Sequence, residues 1–257
     1  MSDAPHIFSP AYYARLAAQE ERHWWSLGLR ATATRLLDRV ASPQRDWRVL
    51  DAGCGTGLTL RWLARYTDRE PVGLDLARAG LQFCTQRGST RLVEATTLVL
   101  PFAANQFDLV VSMDVVQHLP RPDGDAHASA EMARVLTRGG WLLLRTNSRC
   151  GYPPDRAADY HRYTVAEIRA IITSAGFRIH TATYANFLPG LLATIRMKLS
   201  RQNGASDPGL RAAPVPPDAS IATRILYRSL LVEGAYLAAG QRALPFGHSI
   251  LVLAEKL

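Results

Sequence analysis

Between residues 47 and 146, short apolar runs alternate with longer segments whose apolar residues recur at every third or fourth position. The runs at 47–51, 71–75, 107–112 and 140–146, with a weaker one at 91–95, read as strands, and the segments at 57–66, 77–87 and 125–137 as helices. Strands separated by single helices are parallel crossover units, so this stretch predicts an open, doubly wound α/β sheet. "TRGG" at 137–140 reads as a helix stop before the buried strand "WLLLRT". Upstream, 8–20 and 25–41 read as helices, the second with Leu29, Ala33, Leu36, Leu37 and Val40 at helical spacing. Downstream come a helix at 164–175, a strand near 177–184, two apolar helical stretches at 188–199 and 220–240, and a last strand, "HSILVLAEK". A Pro-, Gly- and Ala-rich segment, "RQNGASDPGLRAAPVPPD", separates those two helices and reads as a flexible loop over 200–219.

Composition narrows the class. A hydrophobic fraction of 47% with 20% charged residues can build a full globular core. The net charge is +8, nearly all of it arginine, since lysine occurs only at Lys198 and Lys256. The arginines are scattered, which favours a solvated basic surface and makes nucleic acid an unexpected partner. Cys54, Cys84 and Cys150 lack CxxC spacing, and no His, Asp and Glu group at ligand spacing, so neither a metal nor a disulfide framework is expected. With no signal-peptide pattern and no apolar run of the ~18 residues that cross a bilayer, a cytoplasmic chain is the expectation.

The stretch "VLDAGCGTG", 49–57, concentrates the chemistry: a strand ending at Asp51, then Gly53, Gly55 and Gly57, then a helix. Glycines let a ligand approach the backbone, and the helix start offers free N–H groups. A dinucleotide site wants a third glycine three residues after the second, but Leu58 stands there, and Asp51 would repel a diphosphate. An acidic residue instead attracts an ammonium group, which points to the zwitterionic aminoacyl end of S-adenosylmethionine (SAM). The next strand ends in Asp75, where a carboxylate can accept both hydroxyls of a ribose or merely cap the following helix.

With these pieces in order, the chain resembles the class I SAM-dependent methyltransferases, in particular their small-molecule branch. "VLDAGCGTG" is similar to that family's first motif, "LPFAANQFDLVVSMDVVQHL" to its fourth-strand segment, and "EMARVLTRGGWLLLRT" to its fifth, with Arg138 where a Pro usually stands. "ERHWWSLGLR", "YHRYTVAEIRAIITSAGF" and "LPFGHSILVLAEK" resemble the flanking signatures of one subgroup. The resemblance implies a Rossmann-like sheet of order 3-2-1-4-5-7-6 with strand 7 antiparallel, N-terminal helices and a helical insertion before the last strand. It divides the chain into a helical cap over the cofactor at 1–45, a SAM-binding core at 46–187 and 249–257, and an insertion at 188–248. That insertion is a lid, a dimer element or a membrane-surface element through 188–199.

The resemblance also implies roles. Gly53 and Gly55 line the aminoacyl and sulfonium end, with Asp51 near the ammonium. Asp75 takes the ribose, and Ser112 and Met113 lie beside the sulfonium. His23, Trp24, Trp25 and Arg30 fold over the cofactor, with Arg30 on its carboxylate and one of the tandem tryptophans in the core. The adenine position usually held by an Asp is Thr96, followed by Thr97, whose hydroxyls can still accept a hydrogen bond. The acceptor is expected to be a small molecule with an oxygen, then a nitrogen, nucleophile; a SAM-binding protein that transfers no methyl and a nucleic-acid methyltransferase are the alternatives. Two histidines are candidate bases: His161 in "DYHRYT", with Asp159 to set its tautomer, and His118 in "VVQHL". Asp114 caps a turn or faces the ligand.

Overall fold

The computed structural model describes residues 8–41, 46–150, 161–200, 214–240 and 242–257. Its centre is a seven-stranded sheet built from β1 (Val49–Ala52), β2 (Val72–Asp75), β3 (Leu92–Glu94), β4 (Phe107–Met113), β5 (Leu136–Asn147), β6 (Phe177–Ala185) and β7 (Ser249–Lys256). The order is β3-β2-β1-β4-β5-β7-β6, with β7 antiparallel to both neighbours and the other pairs parallel. The Rossmann-like fold expected from the sequence is therefore present. β1, β2 and the middle of β4 are buried on both faces, which is why they read as unbroken apolar runs.

Helices cover both faces: α1 (Pro10–Arg22), α2 (Trp24–Leu37), α3 (Leu58–Leu63), α4 (Arg78–Gln86), α5 (Gly124–Val135), α6 (Val165–Ser174), α7 (Phe187–Ser200) and α8 (Ile221–Ala238). Ser9 caps α1 by accepting from Tyr12 N–H, with Pro10 at the first helical position. Thr164 and Glu167 form a capping box on α6. One boundary differs from expectation. "TRGG" does not stop a helix, because α5 has already ended at Val135 and Leu136 pairs with Phe107. The register then shifts between Phe107 and Leu109, and Gly139 takes up this irregularity at φ 73°.

The two ends of the chain meet outside the sheet. α8 crosses α2 so closely that a Cβ on Gly28 would lie 2.4 Å from Leu230 Cδ1, and one on Gly234 would lie 3.0 Å from Thr32 Cα. Thr32 Oγ1 donates to the Leu230 carbonyl at 3.1 Å, and Arg35 reaches the Leu231 carbonyl. Leu29, Leu36, Leu230 and Leu237 close a buried cluster with Ala185 and Leu251 of the sheet. α7 is fixed at its start by buried Glu233 of α8, whose carboxylate accepts from Asn186 N–H at 2.6 Å and Phe187 N–H at 2.8 Å. A carboxylate on a helix N-terminus satisfies free N–H groups and complements the helix dipole. Of the loop expected at 200–219, residues 201–213 lie outside the described residues.

Candidate functional site

The carboxyl ends of β1, β2, β4 and β5 converge on a cavity of about 680 Å³, roofed by α1 and the start of α2. This edge is where open α/β sheets bind ligands. The glycine turn forms one wall. Gly53, Gly55 and Gly57 have φ of 97°, 54° and 83°, in the region that favours glycine. A Cβ on Gly55 would meet nothing nearer than Leu16 Cδ2 at 3.8 Å, so the turn leaves open room above its backbone.

Asp75 sits at the cavity's edge but is already engaged. Its Oδ1 accepts from Tyr13 O–H at 3.1 Å and Ala77 N–H at 2.9 Å, and its Oδ2 accepts from Gly55 N–H at 2.8 Å. It thus caps the turn before α4 and also holds the glycine loop. Burial and this carboxylate push the Tyr13 phenol far above its ordinary value. Asp51 lies just beneath the turn, fully buried, and does not line the cavity. Its two carboxylate oxygens have no hydrogen-bond partner among the described residues. Burial, then the nearby charges of Asp75 and Glu20, raise its pKa well above the ordinary range. Glu20 of α1 also lines the cavity, bonds the Thr56 hydroxyl, and is raised by burial. Three acids around one glycine turn, one of them unpaired, are suited to a cationic ligand group.

Two cations also line the cavity. Arg145, near the end of β5, is part-buried and grips Asp114 through Nε at 3.1 Å and through Nη2, while lying 5.8 Å from the centre of the Trp25 ring. Asp114 is held at φ 58°, in the left-handed region, by this grip and by donating its N–H to the Arg145 carbonyl at 2.9 Å. Arg30 of α2 lines the cavity nearby, its pKa lowered by burial. Met113, Thr96 and Thr97 line the cavity as well, and Thr96 Oγ1 accepts from Leu98 N–H.

Several expected positions are placed elsewhere. Ser112 points away from the cavity and donates its hydroxyl to the Ala52 carbonyl at 3.0 Å. Of the tandem tryptophans, Trp25 lines the cavity and Trp24 does not. His23 caps α2, its Nδ1 accepting from Trp25 N–H at 3.1 Å. His161 is not among the lining residues. It donates its backbone N–H to the Gln117 carbonyl and sets its ring edge-on to Tyr163, centroids 4.2 Å apart. Asp159 lies outside the described residues. His118 does line the cavity, 6.4 Å from the Phe8 ring centre. Burial lowers its pKa, partly offset by Asp114, so the imidazole is neutral at neutral pH. No described residue of 187–248 lines the cavity, so α7 and α8 do not act as its lid there; α1 takes that place through Tyr12, Tyr13 and Glu20, with Phe8 just ahead of it. Glu20, Tyr12, Tyr13 and Arg145 had not been singled out from the sequence.

Known proteins resemble this chain in sequence and fold. The methyltransferase domain family matches residues 50–144. A protein of Encephalitozoon cuniculi assigned as a methyltransferase is 30% identical over 196 residues, covering 68% of this chain and 87% of its own length. The ubiquinone biosynthesis O-methyltransferase of Bordetella avium is 28% identical over 119 residues, covering 44% of this chain and 48% of its own, so the chain spans about half of that relative. Among solved structures, a chain from the complex between the Haloferax volcanii Trm112 methyltransferase activator and its assigned methyltransferase superposes with a TM-score of 0.60. It is 20% identical and covers 98% of this chain and 99% of its own, a likeness of fold. The carboxyl-edge cavity, the glycine turn with its unpaired acid, and the matched domain together make the chain a member of the SAM-dependent methyltransferases.

Proposed function

We propose that this enzyme methylates a small-molecule oxygen nucleophile, with nitrogen as the next choice, and that His118 takes the acceptor's proton. The observation that carries this is the place of His118 on the wall of the cavity, beside Asp114 and Asn147 from the ends of β4 and β5, where burial favours its base form. Bound SAM supplies a methyl group already activated by its sulfonium. The chain then has mainly to orient two reactants and to accept one proton. In this reading Gly53 and Gly55 border the aminoacyl end, Arg30 pairs with its carboxylate, and Asp51 and Glu20 favour its ammonium. Asp75 takes a ribose hydroxyl, Thr96 and Thr97 face the adenine, and Met113 borders the sulfonium. Trp25 closes over the ligand with Arg145 behind it.

Methyl-labelled SAM, incubated with separate pools of phenols, carboxylic acids, amines and transfer RNA, tests the acceptor class. Label is expected in a hydroxyl or carboxyl compound, with S-adenosylhomocysteine formed in equal amount. Label confined to the RNA would overturn the small-molecule reading.

The unpaired acid makes a separate prediction. The folded pKa of Asp51 is raised above its ordinary 3.8. Its contribution to stability is therefore full below that value and is lost as pH rises toward the folded pKa. Asp51→Asn, similar in shape and unable to ionise, is expected to melt higher than the parent at about pH 8 and near the parent at about pH 4. It is expected to bind SAM roughly tenfold more weakly, since the turn loses a buried carboxylate whose ionised form attracts the ligand's ammonium through space. Melting curves at both pH values and calorimetry check this; a variant that melts lower throughout and keeps its SAM affinity contradicts it.

A further inference from the structure

Among the described residues, α7 is anchored along one side. Glu233 holds its first turn, and buried Thr194 meets His248 Nε2 at 2.8 Å. The opposite side is apolar and open: Leu191 is 38% exposed, Leu192 48%, Ile195 47% and Leu199 64%. At about 100° per residue, Leu191, Ile195 and Leu199 form one row with Leu192 beside it, and Lys198 and Arg196 fall on its two flanks. Both cations are exposed, and α7 contains no acidic residue. The neighbouring α8 repeats the composition. Ile221, Ile225 and Val232 are exposed beside Arg224 and Arg228, and its one carboxylate, Glu233, is buried. These side chains take no part in the cavity.

We propose that the open face of α7 rests on an anionic lipid surface. An apolar stripe with cations on both flanks fits the boundary between acyl chains and acidic headgroups, the stripe entering and the cations staying at headgroup level. At 14 residues the helix is about 21 Å long, so it lies in the surface plane and does not cross it. A second copy of the chain is a poor occupant. A symmetric pairing of α7 would set Arg196 and Lys198 against their own counterparts, with no carboxylate on α7 to neutralise them. An anionic headgroup layer pairs all of them at once. Placed this way, the enzyme works at a bilayer surface with its cofactor cavity borne on the sheet edge and α1.

Co-sedimentation of the full chain with vesicles tests the proposal, using phosphatidylcholine alone and phosphatidylcholine mixed with phosphatidylglycerol, at physiological salt. Binding is expected to the mixed vesicles and not to the neutral ones. Arg196→Ala with Lys198→Ala is expected to weaken it roughly thirtyfold, and Ile195→Asp with Leu199→Asp to abolish it. Both double variants change exposed side chains only, so melting temperature and SAM affinity should match the parent. No binding to the mixed vesicles, equal binding to both compositions, or full binding by the Ile195→Asp, Leu199→Asp variant would each overturn the proposal. So would self-association in ultracentrifugation that this variant removes while the parent ignores vesicles, because the occupant would then be a second copy.

Discussion

Replacing His118 by alanine is expected to lower kcat by roughly 10²–10⁴-fold while leaving SAM affinity close to that of the parent. His118 lines the cavity without forming the glycine turn, so its loss removes a proton acceptor and not the cofactor's cradle. The pH profile supplies a second reading. Burial lowers the imidazole pKa, so the base form persists to more acidic pH than for a free histidine. The acid limb of kcat should therefore lie below the ordinary imidazole range in the parent and vanish in the variant. His161→Ala is the control. Its ring packs on Tyr163 away from the cavity lining, so turnover should persist. Rapid-mixing turnover and titration calorimetry on both variants check the pair. Unchanged kcat in a folded His118→Ala protein removes His118 as the base and leaves simple positioning of an already nucleophilic acceptor.

Asp75→Ala is expected to weaken SAM binding by about 2 kcal/mol or more, roughly thirtyfold. The carboxylate has about four acceptor sites, and Tyr13, Ala77 and Gly55 use three. A ribose can take the remaining one, and a second hydroxyl can be bound only by displacing Tyr13. Tyr13→Phe should thus bind SAM more tightly than the parent. The pair of variants separates two roles for Asp75. If Asp75 only holds the loop and caps α4, Asp75→Ala loses melting temperature and Tyr13→Phe leaves SAM affinity unmoved. If it also receives the ribose, the affinities of the two variants move in opposite directions. Calorimetry beside thermal melting decides.

The alternation of apolar runs and periodic segments was enough to place all seven strands, and β1, β2 and the middle of β4 stand out most because strands buried on both faces carry little but apolar residues. The start of β5 was not legible. A glycine pair after a helix usually marks a stop, and only the pairing of Leu136 with Phe107 reveals a bulged strand there. At the site, the glycine turn and Asp75 were readable because their backbone demands are local. Ser112 and Met113 were expected together, although neighbouring strand residues face opposite sides, and the pleat admits only Met113 to the cavity. His161 was favoured because its segment follows the sheet's carboxyl edge, yet which way a side chain turns in a loop is set by tertiary neighbours. Arg145 had a usable signal, a lone charge at the end of an apolar strand. Glu20, Tyr12 and Tyr13 had none, since a helix's docking angle is not written in its periodicity.

The close crossing of α2 and α8 also dictates when this protein can finish folding. Thr32 and Leu230 are separated by 198 positions, and the glycine-to-leucine contact at Gly28 is slightly more distant in sequence. At roughly 5–20 residues per second of synthesis, α2 leaves the ribosome about 10–40 s before the helix it packs on. During that interval the apolar side of α2 bearing Leu29 and Leu36 lacks its native cover, while β1 to β5 emerge and pair locally. The roof of the cavity, which includes Trp25 and Arg30 of this same helix, is therefore among the last parts to set. A nascent chain stalled before α8 would carry the glycine turn and Asp75 beneath an unfastened cap and would depend on chaperones to shield α2 from other chains.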